Sequence, residues 1–475
     1  MEMPTVNDAA ALIRVGVISA EELTRACLET IENENDELNA FVFVDAEGAL
    51  ASAKEVDRLI RDGRVDELGV LAGVPFGVKD LEDCAGMPTT RGSRWFANGS
   101  AQSTDSIHVG RLRKAGAIPI GKTATPEFGA WAYTASPLLG VTRNPWNLER
   151  TPGGSSGGSS AAVSSAMVPF ATASDGGGSI RTPASFTGLV GLKNTYGRIP
   201  TFGDTHLAQN SVVGSLTTSV RDTALLLDVM AGPDSRDRTS LPAPTESYLE
   251  SIDTIDLSRC RVAWSSDFGF AVVDSKVSAL CRDAAQAFAS SIGVTLVERP
   301  IELDDYIRTY VAIEGVDKFV GVERDLWENH LDELDPRTIT GWTSLRERTL
   351  PWAANVEFTR RRLVHEAAAM FQDVDLIVTP TSSMPPFGAE GPMPTEIEGV
   401  EVHAGMSVVL AMLANLVNLP AISVPAGLVD GLPVGLQVIG PRFREDLLLA
   451  AAAHYESRRP WPRHHWGTTA GGNDG

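Results

Sequence analysis

From residue 70 onward, short apolar runs alternate with stretches of helical periodicity, and this alternation constrains the fold more than any other feature of the chain. Val70 to Val78, broken by Pro75, reads as a strand; Ser106 to Ala115 reads as a helix ended by Gly116, and Ala117 to Ile120 as a short strand. Ser160 to Met167 reads as a helix entered from a Gly/Ser loop, followed by strands at Val168 to Ser174 and Leu189 to Lys193. Ser219 to Met230 forms a helix with Ser219 and Asp222 as its capping box. Arg261 to Trp264 and Thr295 to Val297 are strand-like around a helix at Lys276 to Ser290. Asp375 to Pro380, Ala421 to Pro425 and Leu436 to Ile439 are short buried strands before a closing helix, Glu445 to Glu456. Short strands interleaved with helices predict an α/β fold with a mixed central β-sheet covered on both faces by helices. Residues 5–63 read as helical, with a Ser19/Glu22 capping box, Leu23, Cys27 and Ile31 at helical spacing, and a second helix from Ala46 to Asp62 stopped by Gly63. No linker divides the chain, so 1–460 is expected to be one domain with a helical insertion near 300–370, and 461–475 a loose tail.

The formal charge of −21 argues against partners that need a basic face. Neither nucleic acid nor an anionic membrane surface is expected to bind. Met1 to Leu12 lacks the basic and apolar regions of a secretory leader, and no apolar run reaches the ~18 residues of a spanning helix. Cys27, Cys84, Cys260 and Cys281 are far apart and form no CxxC pair, which fits free thiols in a reducing compartment and gives no metal-ligand spacing. A cytoplasmic protein, monomeric or homodimeric, with no metal and no cofactor, is the expectation.

Two motif matches fail on their mechanics. Gly116 to Thr123 fits the phosphate-loop pattern GxxxxGK[ST], but its intervening residues are apolar and include Pro119, which has no amide to offer; a helix precedes it and Pro126 follows. Gly153-Gly154-Ser155-Ser156-Gly157 fits the nucleophile-elbow pattern GxSxG, but the residues before it, Arg143 to Pro152, do not form the strand an elbow requires.

The chemistry concentrates between Thr151 and Lys193, where two Gly/Ser clusters bracket an apolar, structured spacer, Ala161 to Ser174. A flexible linker would not contain such a spacer. Asp175-Gly-Gly-Gly-Ser179 has the composition of an oxyanion hole beside a nucleophile, since consecutive glycines let backbone amides turn toward one point. A serine hydroxyl needs a base, and no histidine lies in a Gly-rich segment near it; His108 falls on a predicted helix. Lys79 ends the apolar run Gly73-Val-Pro-Phe-Gly-Val-Lys79, where burial would lower its pKa and free an amine; a surface lysine paired with Asp80 or Glu82 is the competing reading.

Lys79 in GVPFGVKD, the GGSSGG run at 153–158 and DGGGSIRTPASFTGLVGLK at 175–193 together resemble the amidase signature family. Arg111 to Gly116, Gly121 to Phe128, Thr142 to Trp146, Asp222 to Asp228, Asp375 to Pro380 and Leu419 to Pro425 extend the resemblance over nearly the whole chain, most weakly at 240–370. It implies the amidase signature fold and a catalytic triad of Lys79, Ser155 preceded by a cis peptide bond, and the nucleophile Ser179. Neutral Lys79 would draw a proton through Ser155 while Ser179 attacks; the amides of Gly176, Gly177, Gly178 and Ser179 would hold the oxyanion, and water would clear the acyl-enzyme. Gly154, Asp175 and Arg181 are supporting residues in this scheme. Where many members carry Thr, Cys and Pro, this chain has Gly176, Thr187 and Asn194; the first is expected to widen the site.

The leading expectation is a cofactor-free amidase acting on a small amide, with aryl amides, esters and carbamates (a urethanase) within the family's range. The alternatives are a catalytic subunit of a tRNA-dependent amidotransferase and, from another class, a nucleotide-binding protein using Gly116–Thr123. Substrate contacts are expected from Thr125, Phe128, Trp131 and Tyr133 and from parts of 300–350 and 380–420; core packing is an equal reading of the aromatic residues.

Overall fold

A computed structural model gives the architecture and describes residues 3–201, 210–297, 299–321, 326, 329–339, 343 and 347–461. The expected tail past Trp461 and parts of the expected insertion near 300–370 fall outside these residues. The central sheet is built, in chain order, from β1 (Phe41–Val44), β2 (Pro75–Lys79), β3 (Ile118–Thr123), β4 (Phe170–Asp175), β5 (Val190–Lys193), β6 (Val212–Thr217), β7 (Val262–Trp264), β8 (Leu296–Val297), β9 (Leu376–Pro380), β10 (Ala421–Val429) and β11 (Leu432–Ile439). These eleven strands lie in the order β1-β3-β2-β4-β6-β5-β10-β11-β9-β7-β8. The sheet is mixed: β3-β2-β4 and β9-β7-β8 run parallel, and the remaining neighbours pair antiparallel. The principal helices flanking it are α1 (Val6–Arg14), α2 (Ala20–Leu38), α3 (Ala46–Arg61), α4 (Ile107–Lys114), α5 (Gly157–Ser164), α6 (Arg181–Thr187), α7 (Val220–Met230), α8 (Ser275–Ser291), α9 (Ile307–Gly321), α10 (Leu350–Met370), α11 (Val409–Leu416) and α12 (Glu445–Arg458). No helix of the described residues is long and apolar enough to cross a membrane.

Strands in the middle of the sheet are buried on both faces, which is why they read as continuous apolar runs rather than alternating ones. Every residue of β2 and β4 is buried, and Phe76 stacks on Phe170 with ring centroids 5.0 Å apart. The same burial takes Lys79, the last residue of β2, out of water.

Local rules explain the helix ends. Ser19 and Glu22 form the reciprocal capping box at the start of α2. At α7, Ser219 Oγ accepts from the Asp222 amide at 3.2 Å, but the Asp222 carboxylate takes on a second helix start as well. It turns to the amides of Val6 and Asn7 at 3.0 and 2.9 Å and so caps the first turn of α1. The all-helical reading of 5–63 missed β1, an edge strand that pairs with β3. Helix α5 starts at Gly157, earlier than the expected Ser160; its first turn is glycine and serine, poor helix formers that give no helical signal in the sequence.

The phosphate-loop match dissolves into two unrelated features. Gly116, at φ +95°, closes α4: its amide meets the Arg113 carbonyl at 2.9 Å and the Ala117 amide meets Leu112 at 3.1 Å, the paired bonds of a glycine helix stop. Gly121 lies inside β3, and Lys122 Nζ is buried against the Glu82 carbonyl and Thr89 Oγ1 (2.8 Å each) and the Asp80 carboxylate (3.3 Å). That ammonium is consumed in tying β3 to the 80–90 loop, so it has no reach to a phosphate.

Candidate active site

Three elements bring the chemistry together. Strand β2 delivers Lys79 at its C-terminal end, the loop before α5 delivers Ser155 and Ser156, and β4 delivers Ser174 before turning into the loop 176–180. The Lys79 amide is fixed to Thr172 Oγ1 on β4 at 2.9 Å, which sets the register of the pair. Lys79 Nζ is fully buried and lies 2.8 Å from Ser155 Oγ, 2.8 Å from Ser156 Oγ and 2.9 Å from Ser174 Oγ. Ser156 Oγ donates onward to the Ser174 carbonyl at 3.3 Å. Desolvation pulls the Lys79 pKa down to about 7, against the opposing pull of the Glu82 and Asp175 carboxylates. A substantial fraction of this amine is therefore neutral at neutral pH.

The Gly154–Ser155 peptide is cis. Glycine is required at 154 because a Cβ there would lie 2.5 Å from the Trp131 carbonyl oxygen and from the Tyr133 amide nitrogen. The 131–133 segment thus packs directly on the loop that presents Ser155.

The loop after β4 is organised by a buried ion pair. Arg181 Nε and Nη2 donate to the two Asp175 carboxylate oxygens, both at 2.9 Å, and both residues are fully buried. Arg181 also donates to the Ala411 carbonyl, Gln437 Oε1 and Asn415 Oδ1, so its remaining donors are satisfied. Burial pushes the Asp175 carboxyl up, but the Arg181 guanidinium outweighs it and holds the group well below the usual carboxylate range. Asp175 in turn accepts from the Gly178 amide at 2.7 Å and the Ile180 amide at 3.1 Å.

This corrects one expectation: the Gly178 amide is turned inward to Asp175 and is not available to an oxyanion. Among the described residues, the amides of Gly176, Gly177 and Ser179 have no acceptor. Gly178, at φ +119°, must be glycine, since a Cβ would approach Ala411 Cβ to 2.8 Å. Gly176 does not widen the site either. The room left by its missing side chain is taken by Glu314 Oε1 and Ser211 Oγ, each 3.3 Å from the ideal Cβ position. At the other two departures from the family pattern, Thr187 Oγ1 donates to the Pro183 carbonyl at 2.7 Å and Asn194 Nδ2 to the Val213 carbonyl at 2.8 Å.

Ser155, Ser174, Gly176, Gly177 and Ser179 all line one cavity of about 260 Å³. Ser155 and Ser179 are not hydrogen-bonded to each other in this structure, but both face the same cavity. Phe128 and Trp131 line the cavity as expected, with Leu81, Met393 and Met412 completing an apolar wall. Thr125 and Tyr133 do not. Thr125 is buried and donates to the Pro126 carbonyl at 3.2 Å. Tyr133 packs edge-on against Phe387, and its hydroxyl accepts from Arg337. It supports the wall from behind, and Arg337, held by Asp335, is the group that reaches the cavity. The segments 300–350 and 380–420 contribute Tyr310, Glu314, Arg337, His403 and Met412 among others. Sequence reasoning did not single out Ser156, Ser174, Asn210 or Glu314. Nothing distinguishes these serines from the many others in 151–185, and Asn210 and Glu314 reach the site only through the tertiary fold.

The Amidase family matches residues 22–449. The chain is 36% identical over 465 residues to an acylamidase of Rhodococcus erythropolis, covering 96% of each sequence. It is 34% identical over 487 residues to a glutamyl-tRNA(Gln) amidotransferase subunit of Pseudomonas putida, covering 97% of this chain and 98% of that one. A crystal structure of a bacterial aryl acylamidase of the amidase signature family superposes with a TM-score of 0.89 at 27% identity, covering 97% of both chains. The chain belongs to the amidase family, hydrolases of carbon–nitrogen bonds other than peptide bonds.

Proposed function

We propose that this protein cleaves amides through an acyl-enzyme on Ser179, with Lys79 as the base and Ser155 as the proton carrier between them. The observation that supports this most directly is the buried Lys79 amine 2.8 Å from Ser155 Oγ, on the wall of the cavity that Ser179 also faces. Ser155 passes the Ser179 proton to Lys79 as Ser179 attacks the carbonyl carbon. The amides of Gly176, Gly177 and Ser179 receive the oxyanion. Returning along the same path, the proton reaches the leaving nitrogen, the C–N bond breaks, and water activated by the same relay hydrolyses the ester. Gly154, Asp175 and Arg181 hold the two loops in place.

The cavity's apolar wall of Phe128, Trp131, Leu81, Met393 and Met412 supports small amides with an apolar or aryl portion, and leaves esters and carbamates within chemical reach. The four cysteines are unpaired, in keeping with a cytoplasmic setting, and the protein acts as a monomer or homodimer. The test is mass spectrometry of the intact chain during turnover of an anilide, a primary amide and an aryl carbamate. A transient acyl adduct on the Ser179 peptide supports the scheme, and an adduct elsewhere refutes it. The likeness to the amidotransferase protein favours a second reading, in which the chain releases ammonia for a partner. Vigorous hydrolysis of simple amides by the isolated chain would exclude that dependence.

A further inference from the structure

The loop that carries the oxyanion amides can go wrong in one particular way. The Gly176–Gly177 peptide is trans, so its C=O and N–H point to opposite sides. With glycine on both sides of it, that unit can turn over with no side chain to resist. Turned over, it would put the Gly176 carbonyl oxygen where the Gly177 amide should be, and would repel the charge that the site must receive. A hold from outside the loop is needed.

Asn210, two residues ahead of β6, supplies it. Its side chain is buried behind the cavity wall, and Nδ2 donates to the Gly176 carbonyl at 3.2 Å and to Glu314 Oε1 at 3.1 Å. Two acceptors on this side settle which end of the side-chain amide faces the loop, since Oδ1 there would meet two oxygens. The Gly176 carbonyl is thus drawn away from the cavity, and the Gly177 amide, in the same peptide unit, is turned toward it. Gly177 lines that cavity and Asn210 does not.

The hold is itself anchored. Asn415 Nδ2, on α11, donates to the Asn210 carbonyl at 3.1 Å, to the Asp175 carbonyl at 2.8 Å and to the Asp175 carboxylate at 3.0 Å. Asn415 Oδ1 accepts from Arg181 Nη2 at 2.6 Å. Asp175 in turn keeps the Gly178 amide. One asparagine therefore couples the two points at which the glycine run is gripped from behind, the Gly176 carbonyl and the Gly178 amide.

We propose that Asn210 is a positioning residue for the oxyanion site, acting through the Gly176–Gly177 peptide to keep the Gly177 amide aimed at the reacting carbonyl. Its side chain touches no substrate. This inference rests on the amide-hydrolase reading.

The experiment compares full-length wild type with Asn210→Leu, which has a similar volume and no donor. Three quantities are read. One is turnover of 4-nitroacetanilide. The second is inhibition by phenylboronic acid, whose boron takes up the Ser179 oxygen and becomes a tetrahedral anion. The third is calorimetric binding of the anilide to Ser179→Ala protein with and without Asn210→Leu. In the variant, kcat should fall about 10- to 100-fold and phenylboronic acid should bind more weakly by a similar factor, while KM and anilide binding stay within about threefold. Equal weakening of all three, which a general loss of structure would give, overturns the proposal. If Asn210→Leu does not fold, Asn210→Ser, whose hydroxyl stops short of the Gly176 carbonyl, is read by the same criteria. A wild type that neither hydrolyses the anilide nor binds phenylboronic acid through Ser179 sinks the hydrolase reading. A wild type that does both, beside variants that do both equally well, overturns the role of Asn210 alone.

Discussion

Replacing Lys79 with methionine should abolish activity and at the same time stabilise the fold. Lys79 is fully buried, and desolvation lowers its pKa from 10.5 to about 7. At roughly 1.4 kcal/mol per unit, the folded state carries a penalty of about 4 kcal/mol at pH 7 for holding an amine that the unfolded chain would protonate. Methionine keeps the length of the stem and removes the charge. The loss is three contacts to hydroxyls, about 1 kcal/mol each at most. Two of those hydroxyls, on Ser155 and Ser174, open to the cavity and can be hydrated, so the net gain should be about 1–3 kcal/mol. The sign of the pH dependence follows from the direction of the shift. Between about pH 7 and 10.5 the unfolded chain binds a proton that the folded chain has released, so wild-type stability rises with pH across that window. The advantage of Lys79→Met is therefore greatest at and below neutral pH and closes toward pH 10. Urea unfolding followed by tryptophan fluorescence at several pH values measures it. A variant less stable than wild type at neutral pH, with a difference that does not change with pH, would refute the claim that Lys79 is held as a destabilised, partly neutral amine.

Four further outcomes are expected. Because Lys79 must be neutral to act, kcat/KM on a neutral amide should fall about tenfold per pH unit below about 7 and level off above it; a flat acid limb contradicts a lysine base. Ser179→Ala should leave no turnover, and Ser155→Ala should lower kcat by about 10²–10⁴-fold with little effect on ligand binding, read by single-turnover kinetics. Arg181→Ala leaves the buried Asp175 charge uncompensated and should cost about 3–5 kcal/mol, visible as a lowered melting temperature; an unchanged midpoint would mean the pair is not what holds the loop. Gly177→Ala places a Cβ on the Tyr310 hydroxyl and should disable the enzyme, whereas Thr125→Ser, away from the cavity, should leave kinetic constants within a few-fold.

The parts of this molecule legible in its sequence are those set by short-range rules. Lys79 at the end of an apolar run, the Gly-rich turn before Ser179 and the Ser19 capping box each depend on neighbours a few residues away, and each lies where the pattern put it. What was hidden depends on the direction of side chains and amides. Composition marks Gly176 to Ser179 as a source of amides but does not say that Asp175 claims the one on Gly178. Thr125, Phe128, Trp131 and Tyr133 share one loop, yet only the middle two face the cavity, because the chain turns at Phe128, whose φ is +50°. Asp222 has the spacing of a capping box but serves a helix start 215 residues away as well. Glu314 and Asn210 are likewise brought together only by the complete fold.

The hydroxyl of Ser156 gives the proposed proton circuit a direction. Its single hydrogen goes to the Ser174 carbonyl, so toward the amine it can offer only a lone pair. One N–H of a neutral Lys79 is thereby anchored, and the other N–H and the nitrogen lone pair are left to be shared between Ser155 and Ser174. Exchanging those two roles requires a rotation about the terminal C–N bond and a turn of two hydroxyl hydrogens, with every heavy atom staying where it is. In the proposed relay, the amine can collect a proton and hand it back without any rearrangement of the packed strands that enclose it.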